Sequence, residues 1–147
     1  EVSDGRVFLE ELVIVVLGGC RKSNVRADEE VFTGVFKAEQ VKEGGTIVYT
    51  LGATNNILPG YSKFRLAFLP NAKSVRITEY TGETFEGKWN YSASNSLLTF
   101  NQLNPAPYAG NFVFKVEEMK AGRLILLNTA PNPKTGETIN RYVLIPE

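Results

Sequence analysis

From Val31 onward apolar and polar residues alternate with a period of two. FRLAFL sets Phe64, Leu66 and Phe68 against Lys63, Arg65 and Ala67, and SVRITEY sets Val75, Ile77 and Glu79 against Arg76, Thr78 and Tyr80. FEGKWNY places Phe85, Gly87, Trp89 and Tyr91 opposite Glu86, Lys88 and Asn90, and NFVFKVE places Phe112, Phe114 and Val116 opposite Val113 and Lys115. Successive side chains of a strand point to opposite faces, so this alternation, rich in aromatic and β-branched residues, predicts half-buried strands. The predicted strands are 31–42, 46–51, 62–69, 74–81, 84–92, 97–102, 111–119, 123–129 and 138–145. FTGVFKAEQVKE also admits a helical reading, against which Gly34 and the β-branched residues weigh.

The joints are short and suited to turns: LPNAKS, Thr81-Gly82, Ser94-Asn95-Ser96 and MKAG. Longer connections at 52–61, 104–110 and 130–136 are rich in Pro, Gly and Asn. Eight or nine consecutive strands with hairpin joints predict an all-β fold, an antiparallel up-and-down barrel. A β-sandwich is the alternative, but it needs crossovers that such short joints do not provide.

The chain has 147 residues, most simply one domain able to bury a core without disulfides. It has no histidine and one cysteine, Cys20. That removes Ser-His-Asp and Cys-His catalysis, internal disulfides and most zinc or copper sites, so neither a metal site nor a cofactor is expected. Lys plus Arg and Asp plus Glu each number 16, leaving no net charge to attract nucleic acid. No run approaches the roughly 18 apolar residues of a membrane-spanning helix.

Ahead of the alternating region stands LVIVVLGGC, ending at Cys20. As structure, it reads as a buried aliphatic strand with Cys20 a small core residue. As an address, Leu17-Gly18-Gly19-Cys20 resembles the lipobox of a bacterial lipoprotein leader: a Leu three before the cysteine, small residues between, then the cysteine that takes the lipid. On that reading 1–19 is the leader, 20–30 a solvated tether and 31–147 the barrel, and the protein sits at the bacterial cell envelope, periplasmic or outer-membrane.

Within the barrel, Gly87-Lys88-Trp89 is the most informative string. Glycine lets a strand bend or another backbone approach, and the single tryptophan then fills one end of the barrel. Phe32-Thr33-Gly34-Val35-Phe36 repeats the Gly-x-aromatic arrangement on the first strand. Together with NFVFKVEEMKAGRLILLN and RYVLIP, these strings resemble the lipocalin-like domains of small bacterial lipoproteins over about 31–147, with Phe36 where lipocalins usually carry Trp. The resemblance implies an eight-stranded antiparallel calyx that often binds a small apolar ligand, and it implies no reaction.

Candidate ligand-binding residues are Phe36, Phe64, Leu66, Trp89, Phe114 and Tyr142. Inward residues of an eight-stranded barrel either fill it or leave room for one small ligand, so each of these is equally a core residue. Arg65, Arg76 and Arg141 are candidate polar anchors, or outward residues of alternating strands. Glu79, Glu83 and Glu86 surround the Thr81-Gly82 turn; paired carboxylates can hydrolyse glycosides, while the same residues on a hairpin tip are simply solvated. No nucleophile–base pair and no phosphate-cradling loop stands out, so no catalytic residue is assigned and the protein is not expected to be an enzyme. The first expectation is a lipid-anchored envelope protein that buries a small hydrophobic or amphiphilic molecule in its calyx. The alternative is a packed barrel whose loops at 52–61 and 104–110 bind a protein or glycan partner at the envelope.

Overall fold

The computed structural model describes residues 29–108 and 110–147. LVIVVLGGC, Cys20 and most of the expected tether lie outside the described residues. The barrel unit runs from Phe32 to Glu147.

The described residues form nine strands: β1 (Gly34–Glu43), β2 (Thr46–Thr50), β3 (Arg65–Phe68), β4 (Ser74–Thr78), β5 (Thr84–Ser92), β6 (Leu97–Asn104), β7 (Phe112–Lys120), β8 (Arg123–Asn128) and β9 (Asn140–Pro146). From β3 onward each strand pairs antiparallel with the next. β9 then pairs with β1, from Phe36 opposite Pro146 to Glu43 opposite Asn140, and this closes the ring. The opposite edge of β1 is shared: β3 lies along Gly34–Lys37, and β2 lies along Gln40–Glu43. Eight strands therefore close an antiparallel barrel, and β2 is an extra strand continuing the line of β3. Closure settles the barrel over the sandwich.

The expected strand 62–69 is shorter than its pattern. Pro59, whose ring presets a turn-compatible φ, begins a 3-10 turn (Pro59–Lys63), and Phe64 re-enters extended backbone ahead of β3. This excursion covers the outer edge of β2. The Leu58 amide donates to the Val48 carbonyl, and the Asn56 side chain both accepts from the Thr50 amide and donates to the Thr50 carbonyl. The turn then carries Tyr61 into the interior, where it is buried. The expected strand 74–81 stops at Thr78, because the Glu79 amide donates to Glu83 and the Gly82 amide donates back to Glu79, closing a tight turn.

The core has two aromatic ends. At the end carrying the β3–β4, β5–β6 and β7–β8 turns, Phe32 lies 5.2 Å from Trp89, 5.3 Å from Phe68 and 5.1 Å from Tyr91, ring centre to ring centre. At the end carrying the β4–β5, β6–β7 and β8–β9 connections, Tyr61 stacks on Tyr80 at 4.9 Å and Phe64 on Tyr142 at 5.3 Å. The Tyr61 stack depends on close approach, since a Cβ on Gly60 would meet the Tyr80 carbonyl oxygen at 2.9 Å.

Candidate functional site

The six candidate ligand residues divide between these ends. Trp89 belongs to the first, packed against Phe32 and Phe68 with the Lys73 ammonium 4.9 Å from its ring centre. Phe36 meets Phe68 edge-on at 6.0 Å, and Leu66 is fully buried beside them on β3. Phe64, Phe114 and Tyr142 come together at the other end, where with Tyr61 and Ile77 they line a cavity of about 20 Å³. That is room for about one water molecule. The barrel interior is thus largely occupied by its own side chains.

The three candidate arginines all face outward in ion pairs. Arg65 bonds Glu147 at 2.8 Å, Arg76 bonds Glu86 at 2.6 Å and Arg141 bonds Glu117 at 2.9 Å. They anchor nothing within the cavity, because period-two alternation turns them to solvent.

A strap from Asn132 to Gly136, built on a second 3-10 turn (Pro133–Thr135), lies over the small cavity. Its Lys134 Nζ donates to Glu79 at 2.6 Å and to Glu83, and sits 5.2 Å from the Phe85 ring centre. The Tyr80 hydroxyl donates to the Lys134 carbonyl at 3.0 Å. Burial alone would lower the Lys134 pKa; hydrogen bonds to Glu79 and Glu83 outweigh it and raise the pKa above that of a free lysine. The same hydrogen bond holds Glu83 below the usual carboxylate range. The hairpin glutamates are therefore ion-pair partners, two of Lys134 and one of Arg76, not a facing pair across a cleft.

Behind the strap, buried Asn140 donates to Thr135 Oγ1 at 3.0 Å and to the Tyr142 hydroxyl at 3.3 Å, and accepts from Thr138 at 2.6 Å. Burial pushes the Tyr142 phenol up to about 12. Burial also raises the Tyr61 phenol strongly, with Tyr142 nearby and a 2.7 Å hydrogen bond to Glu43 adding to it. Among the described residues no cluster of carboxylate, thiol or imidazole groups could hold a metal ion.

A larger recess opens between the start of β7 and the β8–β9 connection. It has a volume of about 140 Å³ and is lined chiefly by Asn111, Phe112, Asn128, Thr129, Pro131 and Pro133. Phe112, Asn128 and Asn132 border both spaces. Sequence reasoning missed this groove. Its one visible signal was the Pro and Asn content of 130–136, which reads equally as turn chemistry.

No family model matches the chain, and no curated protein matches it. Among solved structures it is similar to a lipocalin-like protein from Bacteroides uniformis ATCC 8492, at 15% identity over 80% of this chain and 99% of that one, with a TM-score of 0.46. It is also similar to an uncharacterized protein from Bacteroides eggerthii DSM 20697, at 14% identity over 79% of this chain and 99% of that one, with a TM-score of 0.44. The functional reading rests on the chain's own geometry.

Proposed function

We propose that this protein is a lipid-anchored recognition module of the bacterial cell envelope, a packed lipocalin-like barrel whose loops contact a protein or glycan. One observation carries the reading: apolar surface is placed on the loops while the interior is filled. Ile57 and Tyr108, on the 52–61 and 104–110 connections, are 64% and 86% exposed, whereas the internal cavity holds only about 20 Å³. Exposed aromatic and aliphatic side chains on loops braced by a rigid barrel suit surface recognition.

The test is binding of the purified chain to isolated envelope proteins and envelope glycans, compared with an Ile57→Ser/Tyr108→Ser double variant. Neither side chain supports the core, so folding should persist. Loss of a contact worth about 2 kcal/mol weakens binding about thirtyfold. Equal binding by both proteins overturns the reading. Lipid labelling of the wild type that disappears in Cys20→Ser supports the anchor; labelling that persists removes it.

A second reading is uptake of a small amphiphile into the barrel. It is favoured by the place of the cavity, which is roofed by the Asn132–Gly136 strap and not by sheet. Opening the strap would give access to Phe64, Phe114 and Tyr142. Native mass spectrometry of protein extracted from membranes distinguishes the two: a co-purifying small molecule favours uptake, and an empty barrel favours the surface.

A further inference from the structure

We infer that the groove between Asn111 and Pro133 is a subsite for a single neutral sugar ring. The inference rests on the surface-recognition reading and narrows the partner to a glycan.

The groove is lined by residues 111–113 and 128–133, and none of them ionises. A phosphate, a carboxylate or an ammonium entering it would lose water and gain no counter-charge, which is costly. A neutral, hydroxylated ligand meets no such penalty.

Asn128 Oδ1 is used internally, accepting from the Asn140 amide at 3.1 Å, and this fixes the side chain while its Nδ2 has no bond to the described residues. Thr129 Oγ1 donates to the Val113 carbonyl at 3.1 Å, so its oxygen remains an acceptor. Asn111 is exposed and brings a whole amide. Amides and a hydroxyl together provide donors and acceptors, and a sugar hydroxyl is both at once. Asn132 is already committed, accepting from the Lys134 amide at 2.9 Å, and it serves as a fixed wall.

Phe112 is held from behind, with Phe85 at 5.9 Å and Phe100 at 6.5 Å, so its position is set by the core. Pro131 and Pro133 are rigid and lose little freedom on binding. A pyranose has the matching character, with a face of C–H groups and a rim of hydroxyls.

At about 140 Å³ the groove is about seven times the internal cavity of about 20 Å³, which suits one ring, and it falls short of the roughly 300–1,000 Å³ of drug-sized pockets. The groove also directly follows the 104–110 loop in sequence, so a glycan chain could occupy it and continue across that loop.

The test titrates the full chain, labelled with ¹⁵N, with methyl glucoside, methyl galactoside and methyl mannoside, and in parallel with glucuronate and glucosamine. At least one neutral glycoside should give saturable shifts in the side-chain amides of Asn111 and Asn128 and in the backbone amides of 128–133, with a dissociation constant on the order of millimolar. The charged sugars should bind at least fivefold more weakly. Asn111→Ala, at an exposed position, should weaken the neutral sugar several-fold, and Ala130→Trp should block it while leaving the core signals of the barrel in place. Absence of saturable shifts at these residues with all three glycosides overturns the inference, as does equal binding of the charged sugars. If that happens while envelope binding still depends on Ile57 and Tyr108, the recognition reading stands without the sugar site. If sugar binds but envelope binding ignores both loop residues, the subsite stands and the loop reading falls.

Discussion

Gly87 on β5 lies against Asn101 on β6 so closely that a Cβ on it would overlap the Asn101 carbonyl oxygen. The same Cβ would stand 2.9 Å from Leu103 Cδ2 and 3.0 Å from the Gln102 carbonyl oxygen. The register shifts at this point, between Glu86 opposite Asn104 and Lys88 opposite Asn101, so β6 bulges over the space glycine leaves. Two residues later Trp89 turns inward beneath Phe32.

Gly87→Ala should therefore destabilise the barrel by about 2–3 kcal/mol through overpacking against backbone that cannot yield. Gly45→Ala, where nothing lies within 4 Å, is the control and should change stability by less than about 0.5 kcal/mol. Denaturant midpoints measure both. Equal midpoints for the two variants would contradict the close approach.

Trp89 is placed to hold one end of the barrel together. Trp89→Ala should cost about 3–5 kcal/mol, and Lys73→Ala about 0.5–1 kcal/mol from the lost cation–π contact. As the single tryptophan, it is also a reporter. Its emission should be blue-shifted and resist acrylamide quenching, and it should not respond when a sugar enters the groove at the opposite end. A large emission change on glycoside binding would place the ligand elsewhere.

The buried phenols predict alkaline unfolding. Tyr142 keeps its proton in the folded barrel up to about 12, whereas the unfolded chain loses it near the ordinary value of 10. Between those values the unfolded state binds fewer protons, so stability falls as pH rises, by about 1.4 kcal/mol per pH unit for each such phenol. Tyr61 is shifted in the same direction and adds to the slope. The raised Lys134 contributes stability that is fully present below its unfolded value of 10.5 and is lost as pH rises through its folded value. Unfolding by urea at pH 9, 10, 11 and 12 should show the decline, and Tyr142→Phe should flatten it. Stability that stays level across this range in the wild type would refute the burial of these protons.

The Lys134 contact joins residues 55 positions apart in sequence through Glu79, yet it is partly exposed. Lys134→Ala should cost no more than about 1 kcal/mol, and amide exchange over 132–139 should speed up by about fivefold. Exchange elsewhere in the barrel should be unchanged. Uniform acceleration would mean that the strap is not a separate closing element.

The strand pattern was readable because it is local. Val75 and Ile77 turn inward and Arg76 outward whatever the rest of the chain does, since neighbouring side chains of a strand must diverge. The Gly87-Lys88-Trp89 string could be read for the same reason, as a point of close approach followed by a large side chain. The line from Lys63 to Leu69 misled, because the apolar alternation of β3 continues through Phe64 across a turn that Pro59 imposes. The division of one edge of β1 between β2 and β3 left no mark in the sequence, because register along a shared strand depends on both partners together.

The sequence by itself determined the class of structure: the number and approximate limits of the strands, the hairpin order that leads to a barrel, and the absence of histidine and of a second cysteine. Tertiary structure alone decided what the barrel contains and where it is open. Whether Phe64, Phe114 and Tyr142 enclose a ligand or fill the space depends on the summed volumes of side chains brought together by closure of β1 on β9. Tyr61, delivered from outside the sheet, tips that sum toward filling. The groove at Asn111 and Asn128 is likewise a tertiary feature. Its walls come from the start of β7, the end of β8 and the connection that follows, and the pairing of those two strands sets them side by side.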